Sequence, residues 1–365
     1  MKYFRKYGIQ IIAGLLALVL VQSIALVSVL TALEKKEEPS IGADGDVDIA
    51  ATMSDMAEPE KSDSDAAGDE QVVETKEDAP PVTAPIGAPS ASEILAETNV
   101  IAHGMGMIDG VTTLNCLEGF QQQYAKGVRV FEVDLRLTSD LQVVLRHDWR
   151  ALWQEGVSEW EIPTLEEFRA KPLLEKYTAL SFRDLLLLMV EYPDICIITD
   201  SKFTDAEIVT LQFEAMLRDA RELGLESLFD RIVVQIYSEL MFKVVNNIRK
   251  FPHYIYTLYN TGFDPKLESF EKVAAFCSEN GIDGVTMWSY WWKEEFAPVA
   301  QQSGLSVYVH TVNDREQAKS LIASGVSGVY TDEIVPDDLR PEEKPELPDK
   351  KGRDEHGTDR KETFR

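Results

Sequence analysis

The large apolar residues of this chain gather in short runs that recur at regular intervals. Runs at 99–102, 128–135, 195–199, 231–236, 254–258, 282–288, 305–311 and 326–331 are dominated by Val, Ile, Tyr and Phe. Apolar runs of this length, bounded by polar residues, predict strands buried on both faces. Between most of them lie segments with apolar positions three and four apart, which predict helices at 116–125, 208–223, 239–250, 267–279, 293–302 and 315–323. Several of these end at a glycine suited to a left-handed cap: Gly127, Gly224, Gly281, Gly304 and Gly325. Eight strands alternating with helices over roughly 235 residues predict an α/β fold, a closed parallel (β/α)8 barrel of the TIM type rather than a doubly wound sheet. No glycine-rich dinucleotide or phosphate-loop motif competes with this reading. A barrel places its chemistry at the carboxyl ends of its strands.

The rhythm is confined to residues 94–339, and the flanks are of a different kind. Lys2, Arg5 and Lys6 precede an uncharged run from Gly8 to Leu33. A secretory signal has an apolar stretch of about 7–15 residues, whereas a spanning helix needs about 20. Residues 1–33 therefore read as a basic stub and an uncleaved transmembrane anchor, with cleavage near Ser28 or Ala32 as the competing reading. Basic residues before the anchor stay cytoplasmic, which puts the barrel outside the cell membrane. Residues 34–80 hold sixteen acidic and four basic side chains and few large apolar ones. Residues 34–93 are accordingly expected to be a disordered acidic linker, and 340–365 a disordered polar tail. The formal net charge of −27 argues against nucleic acid as a partner. Cys116, Cys196 and Cys277 lie far apart without metal-site spacing, and read as small buried apolar residues.

Polar residues interrupt the strands where a barrel would use them. The first predicted strand ends in His103 and the second in Glu132 and Asp134, which are two apart and share a face. A short apolar run, 142–145, leads into Arg146, His147 and Asp148, and the third strand ends in Asp200 and Lys202. Three carboxylates on neighbouring strands make an oxygen-rich site for a hard divalent cation, Mg²⁺ or Ca²⁺. His103 and His147 supply groups that exchange protons near neutral pH, and Lys202 can face a phosphate oxygen. Together they suit attack at phosphorus. His310, after the strand at 306–309, can also enter the mouth. Trp288, Trp291 and Trp292 read first as packing over the rim, and second as an apolar wall for the alcohol or lipid part of a substrate.

The segments Ala102-His103-Gly104, Asn115 to Phe120, Gly127 to Leu135, Leu137 to Asp140 and Val143 to Asp148 resemble those of the glycerophosphodiester phosphodiesterases. The resemblance continues through Ile162 to Glu167, Asp200-Ser201-Lys202, Thr311 to Asp314 and Gly325 to Asp332. It implies a TIM-type barrel related to bacterial phosphatidylinositol-specific phospholipase C. It also implies hydrolysis of glycerophosphodiesters to glycerol 3-phosphate and an alcohol, with a divalent cation. Carried over by position, His103 and His147 become the acid–base pair, Glu132, Asp134 and Asp200 metal ligands, and Lys202 a phosphate contact. The chain departs from the family pattern in several places. Gly104 stands where an arginine usually follows the first histidine. Of a proline–glutamate–asparagine motif only Asn115 remains. Asp200 replaces a glutamate, and His310 stands where the family usually has an aromatic or other non-catalytic residue. The expected substrate is a small or lipid-derived phosphodiester. Cleavage of a phospholipid or of a glycerol-phosphate envelope polymer by the same site, and an inactive barrel acting as a binding module, are the alternatives.

Overall fold

The computed structural model describes Thr83, Pro85, residues 87–151 and residues 153–340. The expected anchor, most of the expected linker and the tail after Arg340 lie outside the described residues. Among the described residues no helix is long and apolar enough to cross a membrane.

Nine strands form: β1 Val100–Ala102, β2 Val130–Leu137, β3 Val143–Leu145, β4 Cys196–Ser201, β5 Ile232–Ile236, β6 His253–Thr257, β7 Gly284–Trp288, β8 Ser306–His310 and β9 Gly328–Thr331. All neighbours except β3 pair in parallel, in the order β1-β9-β8-β7-β6-β5-β4-β2. The Ala102–Phe131 pairing of β1 with β2 closes the ring. These eight coincide with the eight apolar runs of the sequence. The run at 142–145 becomes β3, a hairpin partner antiparallel to β2, with Leu135 opposite Leu145. It lies outside the barrel ring and swings the His147 segment back over the mouth.

Nine helices accompany the described strands: α1 Ala91–Ala96, α2 Leu117–Ala125, α3 Leu165–Ala170, α4 Phe182–Glu191, α5 Ala206–Leu223, α6 Glu239–Ile248, α7 Leu267–Asn280, α8 Ala297–Gln302 and α9 Arg315–Ala323. Six match the periodic segments, with α8 shortened because a tighter turn at Glu294–Phe296 precedes it. Helices α5 and α7 end where expected, at Gly224 and Gly281, whose φ of +69° and +66° suit glycine. Helix α1 straddles the expected start of the domain at residue 94. Ser90 caps it by accepting from the Glu93 amide, and the Ser90 amide donates back to the Glu93 carboxylate. Its Ala91 and Ile94 pack with Ile101, Val130, Cys196, Val233 and Ile255, so α1 plugs the amino-terminal end of the barrel. The three cysteines are buried and free.

Candidate active site

Successive residues of a strand point to opposite faces, so in a closed barrel alternate positions face the interior. Ile101, Val130, Cys196, Ile198, Val233, Ile255, Tyr308 and Tyr330 form the inner core. Two-residue steps from these positions reach His103, Glu132, Asp134, Asp200, Gln235, Thr257, His310 and Asp332. One parity rule therefore sends almost every chemically competent side chain to the mouth, above an apolar floor.

Register decides which of them meet. β2 and β4 pair Asp134 with Asp200 and Glu132 with Ile198. Glu132, Asp134 and Asp200 are buried, and each offers an oxygen within 4.8 Å of the others. Lys202, just past the end of β4, lies 2.7 Å from Asp134 Oδ1 and also contacts Asp200 Oδ2. The Tyr237 hydroxyl donates to Asp200 Oδ1, and Tyr259 donates to Tyr237 at 2.9 Å. Asn115 clamps Asp134 from the other side. Its Nδ2 donates to Asp134 Oδ2 at 2.6 Å, and its Oδ1 accepts from the Asp134 amide at 3.0 Å.

The glycine after His103 has a structural reason. Gly104 has φ +51°, and a Cβ there would lie 2.5 Å from Thr113 Cα. Its amide donates to Glu132 Oε2 at 2.6 Å. A side chain at 104 would have no room, so this chain has no guanidinium beside His103.

Both histidines are held by aspartates. His103 Nδ1 lies 2.9 Å from Asp332 Oδ1, and Asp332 Oδ2 accepts from Asn313 at 2.7 Å. His147 Nδ1 lies 2.8 Å from Asp148 Oδ2, while Asp148 Oδ1 accepts from the Arg150 and Ala151 amides. Fully buried Arg146 supports this turn by donating to the Asp148 and Ala151 carbonyls. An aspartate on Nδ1 fixes the ring and leaves Nε2 as the nitrogen free of that contact.

The electrostatics match this geometry. Burial alone would lower the His103 pKa, but the Asp332 hydrogen bond and the charges of Glu132 and Asp134 outweigh it and raise the value to about 9. Burial, then the charge of Asp134, pushes the Glu132 carboxyl up. Burial also opposes ionisation of Asp134, yet Lys202, His147 and His103 hold its carboxyl below the usual range. Glu132 Oε1 is buried without a hydrogen-bond partner. Ionised, the three carboxylates carry three negative charges against one on Lys202. An all-oxygen donor set with an unsatisfied buried oxygen and excess negative charge fits Mg²⁺ or Ca²⁺.

Every residue singled out from the sequence as catalytic, ligating or phosphate-contacting thus lies at one end of the barrel. The structure adds Asp332, Asp148, Asn115 and Tyr237 as their supports. Asp332 was legible in principle, since it continues the inward parity of Tyr330. Asp148 was not, because neighbouring side chains reach each other only in a turn whose shape the sequence does not specify.

Comparison with known proteins bears on the family and the fold. The sequence model of the glycerophosphoryl diester phosphodiesterase family matches residues 110–335. The fold is shared with an Oleispira antarctica phosphodiesterase in complex with sn-glycerol-3-phosphate (TM-score 0.56, 15% identity, covering 69% of this chain and 98% of that one). It is shared also with a Silicibacter pomeroyi protein assigned as a glycerophosphoryl diester phosphodiesterase (0.54, 22%, 69% and 93%). A third is a glycerophosphodiester phosphodiesterase from Parabacteroides distasonis (0.52, 18%, 66% and 94%). With most of the barrel matched by the family's sequence pattern and the same fold in its neighbours, this chain belongs to the glycerophosphoryl diester phosphodiesterase family.

Proposed function

We propose that this phosphodiesterase hydrolyses a glycerophosphodiester to glycerol 3-phosphate and an alcohol, with His103 and His147 as the acid–base pair. The observation that carries the reading is the pair of aspartate-held imidazoles whose charges both act on Asp134 in the carboxylate cluster. Glu132, Asp134 and Asp200 would hold Mg²⁺ or Ca²⁺, which when bound neutralises charge developing on phosphate oxygens. One histidine takes the proton of the glycerol 2-hydroxyl as that oxygen attacks phosphorus. The other gives a proton to the departing alcohol oxygen, so the leaving group is neutral. Water then opens the cyclic phosphate with the roles reversed, and Lys202 offers its ammonium to a phosphate oxygen. Asp332 and Asp148 hold the two rings in the tautomer that presents Nε2. The ligand in the O. antarctica complex is the glycerol 3-phosphate this reaction releases.

The test is turnover of glycerophosphocholine, phosphatidylinositol, a lysophospholipid and teichoic acid by the full chain, with and without Mg²⁺ or Ca²⁺. His147→Ala, with its fold verified by circular dichroism, should lower kcat by about 10²–10⁴-fold. Near-normal turnover in that variant would remove the acid–base assignment. Turnover that survives complete chelation would remove the ligand assignment.

A further inference from the structure

The mouth holds one imidazole that this chemistry does not use. His310 ends β8 on the inward parity of Tyr308 and is the register partner of Trp288. Its Nδ1 shares a 3.0 Å hydrogen bond with Thr286 Oγ1. Trp288, Tyr259 and Tyr330 stand nearly perpendicular to its ring, at centroid distances of 4.7, 5.1 and 6.1 Å. The residue is 9% exposed, and its Nε2 is buried with no hydrogen-bond partner.

This pocket adjoins the chemistry. Tyr259, against the His310 ring, is joined through Tyr237 to Asp200. Burial first, and then the charges of His103 and Lys202, lower the His310 pKa to about 3, so the ring is neutral at physiological pH. A neutral imidazole is a poor partner for a phosphate anion. It matches a hydroxyl, which can donate or accept according to the tautomer that Thr286 selects. A buried polar nitrogen with no partner is rare in native proteins and calls for one. Three aromatic neighbours supply apolar surface for carbon and keep water from competing.

We propose that His310 Nε2 receives the terminal hydroxyl of the substrate's glycerol unit, making it a specificity residue for deacylated glycerol. The inference rests on the glycerophosphodiester reading above. In that reading the phosphate sits on one terminal carbon and the central hydroxyl attacks, so one polar group of the glycerol remains unassigned. It is uncharged and two carbons from the phosphate-bearing one, which suits a neutral acceptor-or-donor beside the carboxylate cluster. Tyr259 and Trp288, whose rings stand against the His310 ring, are only partly buried, so a tilt of either would open a way to it. Acylation of that oxygen would remove its proton and add bulk against the same rings.

The test compares binding of glycerol 3-phosphate with that of 2-hydroxypropyl phosphate, which lacks only the terminal hydroxyl. Calorimetry on the full chain with Mg²⁺ or Ca²⁺ is the readout. The unmodified chain should bind glycerol 3-phosphate about tenfold more tightly, the worth of one net hydrogen bond near the upper end of its usual range. In His310→Phe the two affinities should converge, through weaker binding of glycerol 3-phosphate alone. Turnover should follow, with the preference for glycerophosphocholine over its 1-acyl derivative reduced by a similar factor. Equal affinities in the unmodified chain, or a ratio that survives His310→Phe, would overturn the inference while leaving the proposed reaction intact. If neither ligand binds, the glycerophosphodiester reading falls and this inference with it. The ligand comparison in the unmodified chain stands whether or not the variant folds.

Discussion

Replacing Asp332 by asparagine removes one negative charge from His103 while keeping the size of the side chain, and its consequence can be worked from the structure. The His103 pKa stands at about 9 against an ordinary 6.5. At 1.36 kcal/mol per pH unit, that gap corresponds to about 3 kcal/mol in favour of the imidazolium. Burial works against the charged ring, so the favourable interactions exceed this net figure. The hydrogen bond to Asp332 leads them, and its charge adds to those of Glu132 and Asp134. Asp332→Asn should therefore lower the His103 pKa by at least one unit, measured by NMR titration of labelled histidines in chelated protein. It should also lower kcat by about 10²–10⁴-fold, because the ring loses both its fixed tautomer and the partner for its charged form. The effect on stability has a definite sign. A raised folded-state pKa stabilises fully below 6.5, and that stabilisation is lost as pH rises through about 9. The stability gap between wild type and Asp332→Asn should thus be widest near pH 6 and narrow towards pH 10. A His103 titration within half a unit of wild type, or a gap that widens with pH, would refute this account of the residue.

Two further outcomes follow from the same geometry. Burial raises the Glu132 pKa to about 8, and a carboxylate must lose its proton to ligate a cation. Affinity for Mg²⁺ or Ca²⁺ should therefore rise about tenfold per pH unit up to roughly pH 8 and level off above it. Calorimetric affinities that are flat from pH 6 to 8 would contradict the raised value. Gly104→Ala adds a Cβ 2.5 Å from Thr113 Cα at φ +51°, so the turn must move and the amide bond to Glu132 must lengthen. Left-handed strain alone costs about 1–2 kcal/mol, and the contact adds to it. Thermal or urea unfolding should show a loss beyond that strain, together with weaker metal binding; a loss no larger than the strain alone would show that Thr113 yields freely.

Much of this molecule was legible in its sequence because the signals are local. Alternation along a strand and the three-to-four spacing along a helix are properties of neighbouring residues, and they identify the eight barrel strands and six of the helices. The same alternation puts Glu132 and Asp134 on one face, whatever the strand later pairs with. The ends of the apolar runs single out His103, His147, Asp200 and Lys202 in the same way, and the resemblance supplies the roles expected of them. The three helices not foreseen have local explanations too: α1 and α3 are only six residues long, and α4 carries the run Leu185–Leu188, too uniformly apolar to show a period.

Tertiary structure alone decided the rest, since register and ring closure depend on packing over the whole domain. Only the β2–β4 register brings Asp200 to Asp134, and only closure brings Asp332 to His103 across 229 residues of sequence. The same closure sets His310 among Trp288, Tyr259 and Tyr330 with an unpartnered nitrogen. The tight approach of Thr113 explains why glycine, not arginine, follows His103. Sequence determined which candidate residues stand at the strand ends and which way each one faces along its strand. The fold determined which of them touch, because contact is set by the shape of the closed barrel and not by any stretch of chain within it.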